Sequence, residues 1–248
     1  MLLNELCDYN ANLLQTSLFK DYCPNGLQVE GRAEVRRIAT GVTASQQVLD
    51  AAVAWGADAI LVHHGYFWRN EEAAITGIKK QRIAQLLRND VSLLGYHLPL
   101  DAHPELGNNA QLGKLLGLIE RSRFGEQNIA CFGILEQPLI LAQFAKKIEH
   151  TLQRAPQVIG DSAKTIRNIA WCSGGAQSYF EAAIAQGADA FITGEISEQN
   201  FHLANESGVA FIAAGHHATE RHGIQALGEH LAAHFGLEHR FFDQDNPV

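Results

Sequence analysis

The stretch LVHHGYFW (residues 61–68) places two adjacent histidines at the end of an apolar run, and AAGHHATE (213–220) places two more after VAFIAA. Core packing gives no reason for such pairs, because each buried imidazole needs its own hydrogen-bond partner. His97 and Asp101 follow a third apolar run, VSLLGY. Imidazoles and carboxylates gathered at strand ends are transition-metal ligands by chemistry, and the carboxyl ends of strands are where ligands collect in open α/β sheets. His216 and Glu220 stand at i and i+4 where a helix is expected to begin, so both project from one face toward one point. His97 and Asp101 repeat that spacing, but Pro99 argues against a helix and leaves their relation to a loop. Adjacent residues in extended backbone point to opposite sides, so His63 and His64 suit two neighbouring ions better than one.

This mixed donor set suits Zn, Mn, Fe, Co or Ni, whereas Mg and Ca prefer more oxygen. Two ions roughly 3.5–4 Å apart, bridged by a carboxylate and a water, suit hydrolysis. His97 and Glu195 are the candidates for moving a proton in such a reaction. Glu195, in FITGEISEQ, reads equally as a helix-start carboxylate. Tyr66, Phe67 and Trp68 either wall a pocket, where a planar base could stack, or belong to the core. The paired glycines of SGG (173–175) open a helix after a strand and are a weak signal for an anion. His217 and His222 read as ligands or as solvated helix residues, His103 as a loop residue, and His230, His234 and His239 as surface residues.

Alternating strands and helices must position these groups. RRIATGV, ADAILV and VSLLGY read as strands, separated by the helices SQQVLDAAVAW, with Ser45 as N-cap, and KKQRIAQLLRN. After the polar stretch ERSRFGEQN (120–128) the alternation restarts with IACFGIL and runs through TIRNIAWC, DAFIT and VAFIAA to a last strand, EHRFFD. LDAAVAWGADAILV (49–62) and FEAAIAQGADAFIT (180–193) align without a gap, each a helix, a glycine stop and a strand. The expected fold is therefore α/β, two similar halves with mostly parallel sheets flanked by helices and a metal cleft between them. The halves are expected at 1–125 and 126–248, as one composite domain whose first half is completed by C-terminal elements.

The 248 residues include 46% hydrophobic and 19% charged, enough for a sizeable core. A net charge of −8 without basic runs makes nucleic acid an unlikely partner. No apolar stretch reaches the ~18 residues of a membrane span, the N-terminus lacks a basic leader, and the four scattered cysteines suit free thiols; a cytoplasmic protein is expected.

PNGLQVEG, GVTAS, GADAILVHHG, HLPLDAHPELGNN, FITGE and AGHHATE together resemble the GTP cyclohydrolase I type 2 homolog family, also called NIF-three-like proteins, in its short bacterial form. The resemblance runs from about Asp21 to Glu220. It implies two similar α/β halves, a homohexameric ring and a centre of two divalent metal ions held by His63, His64, Asp101, His216 and Glu220. By that analogy Glu220 bridges the ions while His63 and His64 serve different ones. It also implies a metal-dependent hydrolase of unassigned small-molecule substrate, a nucleotide or other phosphorylated or cyclic compound, with an association to DNA damage. The alternative is a non-enzymatic metal-binding scaffold or carrier forming the same ring.

Overall fold

The computed structural model describes residues 1–248 as two compact units, Met1–Gly107 with Gly223–Asp245, and Asn108–His222 with Asn246–Val248. No helix is long and apolar enough to cross a membrane.

The first unit contains α1 (Leu3–Leu13), β1 (Gly26–Val29), β2 (Arg37–Thr43), α2 (Gln46–Trp55), β3 (Ala59–His64), α3 (Gly77–Asn89), β4 (Ser92–Gly95) and α4 (Leu98–Ala102). Its five-stranded sheet has the order β1-β4-β3-β2, with a last strand, Glu238–Phe241, beside β2; only β1 runs antiparallel. Ser45 caps α2 by accepting the Val48 N–H, as its position before an apolar run dictates. Ile38, Val42, Leu61, Leu94 and Tyr96 fill one side of the sheet with Leu3 and Leu6 of α1, and Ile60, Val62 and Leu93 fill the other with Leu49 and Leu86.

The second unit contains α5 (Asn108–Leu116), β5 (Leu118–Phe124), β6 (Ala130–Ile140), α6 (Leu141–Leu152), β7 (Gln157–Ile159), β8 (Thr165–Trp171), α7 (Phe180–Ala185), β9 (Ala190–Thr193), α8 (Glu198–Ser207) and β10 (Ala210–Ala213). The helix α9 (His216–Phe235) begins here, its residues from Gly223 belonging to the first unit, and β11 (Glu238–Phe241) completes the first sheet. The second sheet has the order β5-β6-β8-β9-β10-β7. It is mixed: β8-β9-β10 are parallel, and the β5-β6, β6-β8 and β10-β7 pairs are antiparallel.

Two expectations change here. The polar stretch 120–128 is not only a break before the alternation restarts: its first half is β5, whose exposed charged residues lie on an edge strand paired only with β6. The second unit accordingly starts at Asn108, where α5 packs on β5 and α6, rather than at 126.

The internal similarity extends to side chains. Gly56 and Gly187 both end their helices at φ +81°, the left-handed conformation that glycine enters without steric cost. Two residues on, Asp58 Oδ2 accepts the N–H groups of Arg36 and Arg37 at 2.8 and 2.9 Å. Asp189 Oδ2 accepts those of Arg167 and Asn168 at 2.9 and 2.8 Å. The pairing registers match as well, Ile38 with Ala59 and Ile169 with Ala190. Each GAD motif thus ties the start of one strand to the start of its neighbour.

Candidate metal centre

In the first unit the donors cluster where β3 and β4 end. His63 is fully buried and Asp101 nearly so. His63 Nδ1 faces the Tyr96 carbonyl at 2.9 Å, and a carbonyl can only accept. The ring proton therefore sits on Nδ1, and Nε2 presents its lone pair toward Asp101 Oδ1, 3.6 Å away. His64 Nδ1 lies 3.3 Å from Thr43 Oγ1. His97 Nδ1 lies 2.7 Å from Asp21 Oδ1, which again places the proton on Nδ1 and turns Nε2 outward. Donor atoms of His63, His64 and His97 come within 4.8 Å of one another.

That convergence modifies the argument from strand geometry. The His63 and His64 ring centroids are 4.6 Å apart and lie 5.1 and 5.7 Å from that of His97. Alternation separates the Cβ atoms, yet two long rings at the strand end can still lean together once pairing with β4 stops at Val62. Pro99 also behaves differently from expectation: it occupies the first turn of α4, where its missing N–H is an unneeded donor, and Asp101 N–H reaches the His97 carbonyl at 3.1 Å. His97 and Asp101 are therefore related by a helical turn rather than by a loop.

Asp21 and Asn25 are the residues that sequence reasoning missed. The Asp21 carboxylate accepts from Tyr22 N, Asn25 Nδ2 and Leu98 N at 2.6, 2.8 and 2.9 Å, besides His97. Burial alone would raise its pKa, but the His97 ring and these N–H donors outweigh it and hold the carboxyl at about 2. Asn25 Oδ1 accepts the His97 N–H at 2.7 Å. With both oxygens so engaged, Asp21 orients His97 rather than serving as a ligand. The neighbouring Cys23 thiol is pushed up to about 12 by burial, with Asp21 adding to it, and stays neutral. The only hint in the sequence was the PNG turn after Asp21.

Gln28 locks the same region. Its Oε1 accepts the Tyr66 N–H at 2.7 Å and its Nε2 donates to the Pro24 carbonyl at 2.9 Å. A Cβ on Gly65 would lie 2.2 Å from Oε1, and one on Gly95 would lie 2.7 Å from Nε2. The two glycines admit the amide that pins the exit of β3 to the 21–26 loop.

The second unit carries the other donors at the start of α9. His216 Nε2 lies 3.3 Å from Glu220 Oε1, as the i,i+4 spacing predicts. Its Nδ1 lies 2.6 Å from Glu195 Oε1, so Glu195 holds the ring from behind. Burial would lower the His216 pKa, but Glu220 and then Glu195 raise it to about 9. In the metal-free chain the ring is thus a cation between two carboxylates, and a divalent ion would take the place of the Nε2 proton. Gly174 of the SGG loop forms a cradle for this pair: at φ +65°, a Cβ there would stand 2.1 Å from Glu220 Oε1 and 3.2 Å from His216 Nε2. The loop is bolted down, with Gly174 N donating to Thr219 Oγ1 at 2.9 Å and the Gly174 carbonyl accepting from Gly194 N and Thr193 Oγ1 at 2.8 and 2.9 Å. Gly174 thus makes room for a carboxylate. His217 is buried, not solvated, and its N–H donates to the Val248 carbonyl. His103 is a loop residue as expected, its Nδ1 accepting from Glu105 N and Leu106 N. Of the three histidines read as surface residues, His230 hydrogen-bonds Tyr9 and His239 hydrogen-bonds Thr40, both partly buried.

Residues 1–247 match the Duf34/NIF3 (NGG1p interacting factor 3) family model. The chain belongs to this family. Among its relatives is the GTP cyclohydrolase 1 type 2 homolog of Neisseria meningitidis serogroup B, 59% identical over 95% of this chain and 94% of that one. The protein of the same name from Pseudomonas aeruginosa is 52% identical over 99% and 98%. A solved structure described as protein ybgI, of unknown function, superposes over 100% of both chains with a TM-score of 0.97 at 49% identity. TTHA1606 from Thermus thermophilus does so over 100% of both with a TM-score of 0.90 at 33% identity. The mixed α/β fold with two helix-flanked sheets is shared with these neighbours, and the candidate metal-binding groups described above are features of a NIF3-family chain.

Proposed function

We propose that this chain is a dinuclear-metal-dependent hydrolase acting on a nucleotide or another small phosphorylated or cyclic compound, with His63, His64, Asp101, His216 and Glu220 as the ligands. The observation that carries it is the tautomer control of the donors. His63, His97 and His216 each commit Nδ1 to a fixed oxygen and so aim Nε2 outward, the arrangement typical of ligating or proton-moving imidazoles. The cradle at Gly174 keeps the Glu220 carboxylate where an ordinary side chain would displace it. Five ligand residues spread over two ions leave coordination positions for water and substrate, as hydrolysis requires.

When bound, a divalent ion supplies Lewis acidity and a water that ionises near neutral pH. The chain's own residues do the rest. His97, its ring held by Asp21 and its backbone N–H by Asn25, is placed to carry a proton at Nε2. Glu195 holds His216 in register, so its general acid/base role gives way in this reading to positioning. The relatives' name suggests a purine nucleotide among the candidates. Assembly into a hexameric ring, carried over from the family resemblance, and residence in the cytoplasm, carried over from the composition of the chain, belong to the same proposal.

The test is metal content per chain by elemental analysis, on wild type and on His216→Ala and Glu220→Gln, followed by a hydrolase screen with the native metal present. About two ions in wild type, falling sharply in both variants, with turnover only in the loaded protein, is the expected result. No metal in wild type after incubation with Zn or Mn would overturn the site. Two ions without any turnover would overturn the hydrolase and leave a metal carrier or scaffold.

A further inference from the structure

The segment that follows the paired histidines is held in a strained shape. Phe67 has φ +66°, in the left-handed region that a bulky aromatic residue disfavours. Glu71 maintains it: Oε2 accepts both the Phe67 and the Trp68 N–H groups, at 2.8 and 3.1 Å. Lys79 Nζ pairs with Glu71 Oε1 at 3.3 Å and lies 5.0 Å from the Phe67 ring centroid. Backbone strain that several neighbours over-determine is found where a side chain must be aimed.

The side chain aimed here is Trp68. Its indole N–H donates to the Gly65 carbonyl at 3.2 Å. Its ring meets His97 nearly perpendicularly, centroids 5.0 Å apart, and lies 6.0 Å from His64. With the N–H committed, the half-buried Trp68 ring can offer a ligand π surface but no hydrogen-bonding group. Tyr22 flanks the same histidine at 6.4 Å, is 48% exposed and carries the Arg69 guanidinium over its ring at 5.4 Å. Arg69 is anchored in turn, through N–H to the Tyr22 carbonyl at 2.7 Å and through Nη2 to the Asp21 carbonyl at 2.9 Å. His97, the proposed proton carrier, is thus bordered by two partly exposed aromatic rings held by fixed backbone contacts.

We infer that the Trp68 ring is a stacking platform for the planar heterocyclic base of the substrate, beside His64 and His97. The inference deepens the hydrolase reading and rests on it only for the chemistry that follows binding. Base–aromatic stacking tolerates any base, so guanosine and adenosine monophosphates both serve as probes, and ribose 5-phosphate reports binding without a base. Calorimetric titration of the metal-loaded full chain is expected to show both nucleotides binding at least ten-fold more tightly than ribose 5-phosphate. Trp68→Leu is expected to weaken nucleotide binding about 5- to 100-fold, while Trp68→Phe, which keeps a π face, recovers most of it. Trp68 donates no ligand atom, so metal content stays at the wild-type value in both variants. Unchanged affinity in Trp68→Leu, equal affinity for ribose 5-phosphate, or no binding of either nucleotide by wild type would each overturn the platform. A wild type that takes up no metal would overturn the hydrolase reading instead, and the same titrations on the metal-free chain would then compare wild type with the Trp68 variants.

Discussion

Replacing Gly174 by alanine tests the cradle around Glu220 most directly. The added Cβ would lie 2.1 Å from Glu220 Oε1, whereas close C···O contacts in proteins begin near ~3.3 Å. One of the two must retreat by more than about 1 Å. The loop cannot yield easily, because Thr219, Gly194 and Thr193 hold both of the Gly174 peptide groups. The carboxylate therefore moves, and metal–ligand distances tolerate only about ±0.2 Å. Loss of a mere supporting contact to a ligand costs ~10–100-fold in metal affinity, and displacement of the ligand itself should cost no less. Alanine at φ +65° adds about 1–2 kcal/mol of backbone strain, readable as a lower unfolding midpoint in denaturant. Gly175→Ala is the matched control: its Cβ would stand 3.5 Å from the Glu195 carboxyl carbon, an ordinary contact. The assay is competition of each variant against a chelator of known affinity. Wild-type metal affinity in Gly174→Ala, or equal losses in Gly174→Ala and Gly175→Ala, would refute the reasoning.

Two further outcomes follow from the first unit. The Asp21 carboxyl, held at about 2 against an ordinary 3.8, adds stability that is full above its unfolded pKa and is lost as pH falls through 4 toward 2. After discounting for partial solvation this is worth about 1 kcal/mol; acid titrations of Asp21→Asn should lack that component, and an identical acid limb would dismiss it. Gly65→Ala should cost about 1–3 kcal/mol by driving its Cβ into the Gln28 amide, and much of that cost should vanish in a Gln28→Ala background. Additive losses in the double-mutant cycle would show that the two residues do not meet as described.

The sequence alone determined which residues could be ligands and which elements would carry them. Apolar periodicity, the Ser45 cap and the Gly56 and Gly187 stops locate strands and helices because they act within a few residues. The i,i+4 relation of His216 and Glu220 was legible for the same reason, since helical geometry alone sets it. The repeated GAD motif announced two related sheets, and the aspartates at its core play one structural role in both. The sequence did not disclose the tightness of the α4 turn, because a proline argues against helix everywhere except in the first turn, and local pattern did not locate that turn. Nor did it disclose the partners that hold the candidate site residues. Asp21 meets His97, Glu195 meets His216 and Gly174 meets Glu220 only because strand order brings distant segments side by side. Hydrophobic periodicity records which face of an element is buried but carries no signal for which distant segment lies against it. The strand ends were therefore written in the chain, while the tautomers, the charge on His216 and the space for a carboxylate were decided only by tertiary packing.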